Sequence, residues 1–170
     1  MRVISNKTSP IPIGLENDYW NRTNITTIKQ YASNPKKNLL YLNVSLNTSS
    51  NRPNIMNLLV DKGFEKNNKL DWNNYIKDLS TYKFCISPNG NGIDCHRTWE
   101  CLYLGVIPII EKSIHMDHFS DLPILFVDSY DIISTEYLND KLNEFQKKSF
   151  NLDKLYIPYW KQKITEHFTH

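Results

Sequence analysis

The chain has 170 residues, 40% of them hydrophobic and 12% aromatic. That is the size of about one domain, enough to bury a core without staples and too apolar for global disorder. A formal net charge of +2 creates no demand for nucleic acid or an acidic membrane as partner. The three cysteines, Cys85, Cys95 and Cys101, are too few for a disulfide framework and have no partners at structural-zinc spacing, so they read as buried free thiols.

Met1 to Ile13 lacks the apolar segment of a secretory signal, and no apolar run approaches the roughly 20 residues of a membrane span. The chain as given therefore reads as soluble. Ser9 to Trp20 (SPIPIGLENDYW) holds two prolines and a glycine and reads as extended. A short helix is expected over Thr23 to Ala32. Asn38 to Val44 (NLLYLNV) is a compact apolar run and a strand candidate. Pro53 suits the first turn of a helix reaching about Asp61, with Gly63 as its stop. Asp71 is a natural N-cap for a helix over Trp72 to Thr81.

Tyr82 to Ser87 (YKFCIS) reads as a strand, Pro88 to Asp94 (PNGNGID) as a turn-rich loop and Cys95 to Leu104 (CHRTWECLYL) as a helix stopped by Gly105. Strands follow at Val106 to Ile110 and Leu122 to Val127, then helices at Thr135 to Lys147 and Leu152 to Thr165. Short, nearly continuous apolar strands alternating with helices indicate a parallel sheet covered on both faces. The fold class is α/β: a doubly wound, Rossmann-like open parallel sheet flanked by helices. Ligands of such sheets bind beyond the carboxyl ends of the strands, where the PNGNGID loop lies.

That loop offers specific chemistry. Gly90 and Gly92 can adopt unusual backbone angles and admit a ligand close to the main chain. The first amides of the following helix have no partners inside it, and its dipole places about half a positive charge there; a pyrophosphate is the fitting guest. His96 and Arg97 stand in the first turn, and Arg97 can grip phosphate oxygens in a bidentate fashion. Such positive charge would stabilise a departing diphosphate. Glu100, at i+3 from Arg97, is the lone acid between Cys95 and Ile110. It serves either to accept the hydroxyls of a ribose or to pair with Arg97. Asp94 reads as the helix N-cap. Taken residue by residue these features also fit a turn, a surface histidine and an ordinary helix pair. Their order is what favours a phosphate or nucleotide site: strand, glycine loop, basic first turn, lone glutamate, glycine, strand with Pro108.

The run FCISPNGNGIDCHRTWECLYLGVIPII, Phe84 to Ile110, resembles the exostosin-like glycosyltransferases, and most of all their ribitol-xylosyltransferase-like branch. Pro10 to Glu16 resembles that family's segment leading into its second domain, and Leu122 to Asp128 its following strand. The resemblance implies one half of a GT-B fold, the C-terminal domain that holds the nucleotide sugar. It implies residues 1–20 as an extended linker segment, 21–150 as the Rossmann-like donor-binding domain and 151–170 as a C-terminal helix. It implies substrate contacts from Ser87, Asn89, Gly90, Asn91, Gly92, Asp94, His96, Arg97 and Glu100. Glu100 would sit on the ribose, Arg97 near the phosphates, and Arg97, Glu100 and His96 would be the catalytic candidates. Inverting transfer from a UDP-sugar to a hydroxyl of a glycan or glycoprotein follows, with no metal and no other cofactor. An Asp-x-Asp metal motif is absent from the sequence.

A two-domain GT-B enzyme exceeds 170 residues, so the resemblance puts the acceptor site and the general base on an N-terminal half, the chain being a fragment, a short relic or the partner of a half on another polypeptide; within the C-terminal half itself Asp94, His96 and Asp128 are the base candidates. The compartment would be cytoplasmic for a complete chain and the Golgi lumen for a piece of an anchored enzyme. The competing readings are a non-catalytic nucleotide-, sugar- or protein-binding module and a different nucleotide-dependent α/β enzyme; the loop fits neither the Walker pattern nor a full GxGxxG. Trp20, Trp72 and Trp160 could stack on sugars but read first as packing residues. The turn carrying His115 and His118 lacks the further ligands a metal would need.

Overall fold

The computed structural model describes residues 9–16 and 25–168. Four strands, β1 (Asn38–Tyr41), β2 (Tyr82–Ile86), β3 (Ile107–Glu111) and β4 (Leu125–Val127), form one sheet in the order β1-β2-β3-β4. Every neighbouring pair is parallel, with Leu40 opposite Phe84, Phe84 opposite Ile107 and Ile109 opposite Leu125. Among the described residues six α-helices accompany them: α1 (Ile25–Tyr31), α2 (Arg52–Asp61), α3 (Trp72–Leu79), α4 (His96–Tyr103), α5 (Thr135–Gln146) and α6 (Ile157–Phe168). The expected α/β class, an open Rossmann-like parallel sheet with flanking helices, is present.

Alternation along each strand assigns the two faces. Leu40, Phe84, Ile86, Ile109, Leu125 and Val127 pack with Ile55, Met56 and Leu59 of α2 and Leu138 of α5. Tyr41 and Cys85 pack on the other face against Ile28 of α1, Ile76 and Leu79 of α3, and Cys101 and Leu104 of α4. Farther along that face, Trp99 and Leu102 of α4 meet Ile110, Phe119, Leu122 and Ile124. The doubly wound expectation needs one refinement. Strand order runs without reversal among the described strands, so they contain no switch-point crevice. Both faces are nevertheless covered, because the β1–β2 connection carries two helices, α2 on one face and α3 on the other.

Local signals acted largely as expected. The Asp71 carboxylate accepts from the Asn74 amide and caps α3. Gly63 and Gly105 take positive φ of 90° and 68° just beyond α2 and α4. Lys36 ties two helix ends together: its Nζ donates to the carbonyls of Ser80 and Leu104, each at 2.7 Å. These are the C-cap residues of α3 and α4, whose last carbonyls lack partners inside their helices.

Other expectations are corrected. The first strand stops at Tyr41 rather than Val44, because Leu42 exchanges its main-chain bonds with Asn67: its amide donates to the Asn67 side chain at 2.8 Å, and the Asn67 amide donates to its carbonyl at 2.9 Å. The fourth strand begins at Leu125, not Leu122; Pro123 has no amide for the ladder, and Leu122 and Ile124 serve the core instead. The last helix begins at Ile157, not Leu152, with Pro158 in its first turn, and a 3-10 turn at Asp153–Leu155 precedes it. The expected start at Thr23, and Trp20, lie outside the described residues. No described helix is long and apolar enough to cross a membrane.

Candidate functional site

The carboxyl ends of β1 and β2 meet the loop at residues 88–94 and the start of α4. Two buried hydroxyls fix this junction: Ser87, just past β2, and Thr98, in the first turn of α4, lie 2.9 Å apart. The Ser87 amide continues the ladder by donating to the Ile109 carbonyl at 2.9 Å. Ser87 thus faces inward and positions α4 against the sheet.

The loop itself is held from below by a residue the sequence reading did not single out. Arg52, the first residue of α2, donates through Nε to the Asn89 carbonyl at 2.9 Å, through Nη2 to the Pro88 carbonyl at 2.8 Å and through Nη1 to the Ser45 carbonyl at 3.0 Å. Nothing local in the sequence marked it, since 36 residues separate it from Pro88; only Pro53 beside it signalled a helix start. The two glycines of the loop do not serve for unusual backbone angles. Neither Gly90 nor Gly92 has a positive φ. At Gly90 a Cβ would stand 2.9 Å from Arg52 Nη2, so a side chain there would have to displace the guanidinium, whereas at Gly92 a Cβ would make ordinary contact. The Gly90 amide closes the loop by donating to the Gly92 carbonyl at 3.0 Å. Asn91 and Gly92 are exposed.

Cys95, not Asp94, is the N-cap of α4, and it makes no side-chain cap bond. Nor is it fully buried, unlike Cys85 and Cys101. Its thiol lies 3.6 Å from the Pro88 carbonyl and 3.7 Å from Arg52 Nη2; burial raises its pKa, and Arg52 opposes that shift. Asp94 is diverted from capping by two other donors. Its Oδ2 accepts from the Ile13 amide and its Oδ1 from the Trp99 indole, both at 2.7 Å. Burial nevertheless pushes its pKa up, against those two hydrogen bonds. His96 Nδ1 lies 2.8 Å from the Gly14 carbonyl. Asp94, just before the helix, and His96, in its first turn, therefore both bind the chain at Ile13 and Gly14 across the start of α4.

Arg97 and Glu100 face α3. Arg97 donates through Nη1 to the Asn43 carbonyl just past β1, and its guanidinium lies 5.5 Å from the Tyr75 ring centre. Burial disfavours its charge, but Tyr75, Cys85 and Glu100 outweigh that and hold its pKa above the ordinary value. Glu100 is 6% exposed. Its Oε1 accepts from the Trp72 indole at 3.0 Å and its Oε2 from the Tyr75 hydroxyl at 2.8 Å. Burial first, and then the charge of Glu100, push the Tyr75 pKa well up. The ion pair weighed between Arg97 and Glu100 is not formed: the described salt bridges join Lys112 with Asp128, Lys141 with Glu144, Lys154 with Asp121 and Lys163 with Glu166. A carboxylate has about four acceptor positions, so Glu100 keeps capacity beyond its two present donors.

The structure thus brings Asn89, Gly90, Asp94, His96, Arg97 and Glu100 around one helix start. It leaves Asp128 elsewhere, exposed and paired with Lys112 at 2.9 Å. Trp72 serves Glu100, while Trp160 packs near Phe119 and Tyr159 and donates to the Lys154 carbonyl at 2.9 Å. A groove of about 970 Å³ lies away from the loop, along the β1 side of the sheet between Lys37, Phe64, Asn67 and Lys77. Among the described residues no group of three or more His, Cys, Asp or Glu is placed to hold a metal ion. No protein-family model matches the chain, and no curated protein matches it.

Proposed function

We propose that this domain is one half of a GT-B glycosyltransferase, the half that binds a nucleoside diphosphate sugar. The observation that carries the reading is the convergence of two guanidiniums and a buried carboxylate on one helix start. Arg52 holds the loop before α4, Arg97 stands in the first turn and reaches the Asn43 carbonyl just past β1, and Glu100 follows one turn along. The free amides of that turn and the helix dipole favour a diphosphate. In this reading the acceptor hydroxyl oxygen attacks the anomeric carbon with inversion, the bond from that carbon to the diphosphate breaks, and UDP leaves. Its new charge meets the α4 dipole and Arg97, so the domain's residues supply leaving-group stabilisation without a metal. Glu100 accepts the ribose hydroxyls. The acceptor, a glycan or glycoprotein, and the base that takes its proton belong to the other half.

Calorimetry with UDP, GDP and their sugars tests this. Binding of UDP, lost on Arg97→Ala, is the expected result; a folded sample that binds none of these nucleotides overturns the reading. A second reading, a non-catalytic binding module, is favoured by one feature: Asp94 and His96 already engage Ile13 and Gly14, and Glu100 already engages Trp72 and Tyr75. Nucleotide binding without transfer, measured together with the completing half, would select it.

A further inference from the structure

We infer that Arg52 is the positioning residue of the nucleotide loop: a guanidinium clamp under residues 88–90 that fixes the direction in which the loop presents the Asn89 amide. The inference rests on the donor-binding reading for its ligand, but its geometry stands on the free protein. Three donors of one rigid, planar group take three main-chain carbonyls, those of Ser45, Pro88 and Asn89. A lysine has no such fork. In a trans peptide the carbonyl and the next amide point in opposite directions. Drawing the Pro88 carbonyl down onto Arg52 therefore turns the Asn89 amide to the opposite side, away from the guanidinium.

Gly90 provides an independent observation. A Cβ at this position would press on Arg52 Nη2 at 2.9 Å. The tip of an arginine is ordinarily free to move aside, but this one is pinned by the same three carbonyls. Gly90 and Arg52 are thus two parts of one device, joining the start of α2 to the loop after β2.

A double-mutant cycle on UDP affinity measures the device. Arg52→Ala and Gly90→Ala are each expected to weaken UDP binding about tenfold, through the ordering cost of a loosened loop. Gly90→Ala introduced into Arg52→Ala is expected to change affinity no further, because the added methyl no longer meets a guanidinium. Losses that multiply in the double variant overturn the clamp. Arg52→Lys keeps the charge and the fold; affinity at the level of the unaltered protein would show that charge alone matters and would likewise overturn it.

A readout without ligand separates this inference from the donor reading. Backbone order parameters of the Gly90 and Gly92 amides are expected near the rigid value of about 0.85 in the unaltered protein and below about 0.6 in Arg52→Lys. Unchanged values refute the clamp. Failure of the unaltered protein to bind UDP refutes the donor reading instead, while the order parameters still decide the role of Arg52.

Discussion

Replacing Glu100 distinguishes what its carboxylate does for the fold from what it does for a ligand. The side chain is 6% exposed and holds two donors, the Trp72 indole at 3.0 Å and the Tyr75 hydroxyl at 2.8 Å. Glu100→Ala removes both acceptors and leaves a cavity. Each orphaned donor costs about 1–3 kcal/mol, so a loss of about 2–6 kcal/mol is expected. Glu100→Gln has nearly the same shape. Its carbonyl oxygen can accept from Trp72, which only donates, and its amide can donate to Tyr75, whose hydroxyl also accepts. No described cation forms a salt bridge with Glu100, and removing its charge lifts a desolvation cost that offsets the lost attraction to the Arg97 guanidinium. A change within about 1 kcal/mol is expected. Urea denaturation at pH 7, with the m-value checked for constancy, reads both. If the Gln variant falls as far as the Ala variant, the charge itself is held by a cation and the hydrogen-bond account is wrong. If the Ala variant loses less than about 1 kcal/mol, the two donors are not satisfied by Glu100. Should Gln be silent in stability yet weaken UDP binding, the charge belongs to the ligand.

Tyr130 is 2% exposed, and among the described residues its hydroxyl has no well-formed hydrogen bond, the Glu111 main chain being a polar neighbour; Tyr130→Phe should raise stability by up to about 1–3 kcal/mol, and a loss in denaturation would show that the contact with Glu111 is a true hydrogen bond. Gly105→Ala forces an L-residue to a φ of 68°, with an expected loss of about 1–2 kcal/mol; an unchanged urea midpoint would refute the strain. Asp94 has its pKa raised by burial, so the folded state binds its proton more tightly than the unfolded chain does. That contribution favours the fold below the ordinary aspartate range and is lost as pH rises through the raised folded pKa. Asp94→Asn should therefore flatten the fall of stability with pH just above that range, and a slope equal to that of the unaltered protein would count against burial as the cause.

How much of this was readable in the sequence depends on the distance over which each signal acts. Asp71, Gly63 and Gly105 announced helix ends because caps and positive-φ glycines act within a few residues. The apolar runs at Tyr82 to Ser87 and Val106 to Ile110 announced buried parallel strands because both of their faces are covered. The order of strand, loop and basic helix start placed Asn89 to Glu100 together, since they are near neighbours in the chain. What the sequence could not fix are the choices made between competing partners. Asp94 is a fitting cap by type, yet Ile13 and Trp99 take its two oxygens. Arg97 and Glu100 share a helix face, yet the acid bonds to Trp72 and Tyr75 and the base to Asn43. Arg52 reaches the loop only because β1 and β2 lie side by side and bring the start of α2 beneath it. Composition and periodicity determined the elements, because those are decided by neighbours along the chain; tertiary structure alone decided which polar groups meet, because a hydrogen bond is settled by which donor arrives within about 3 Å.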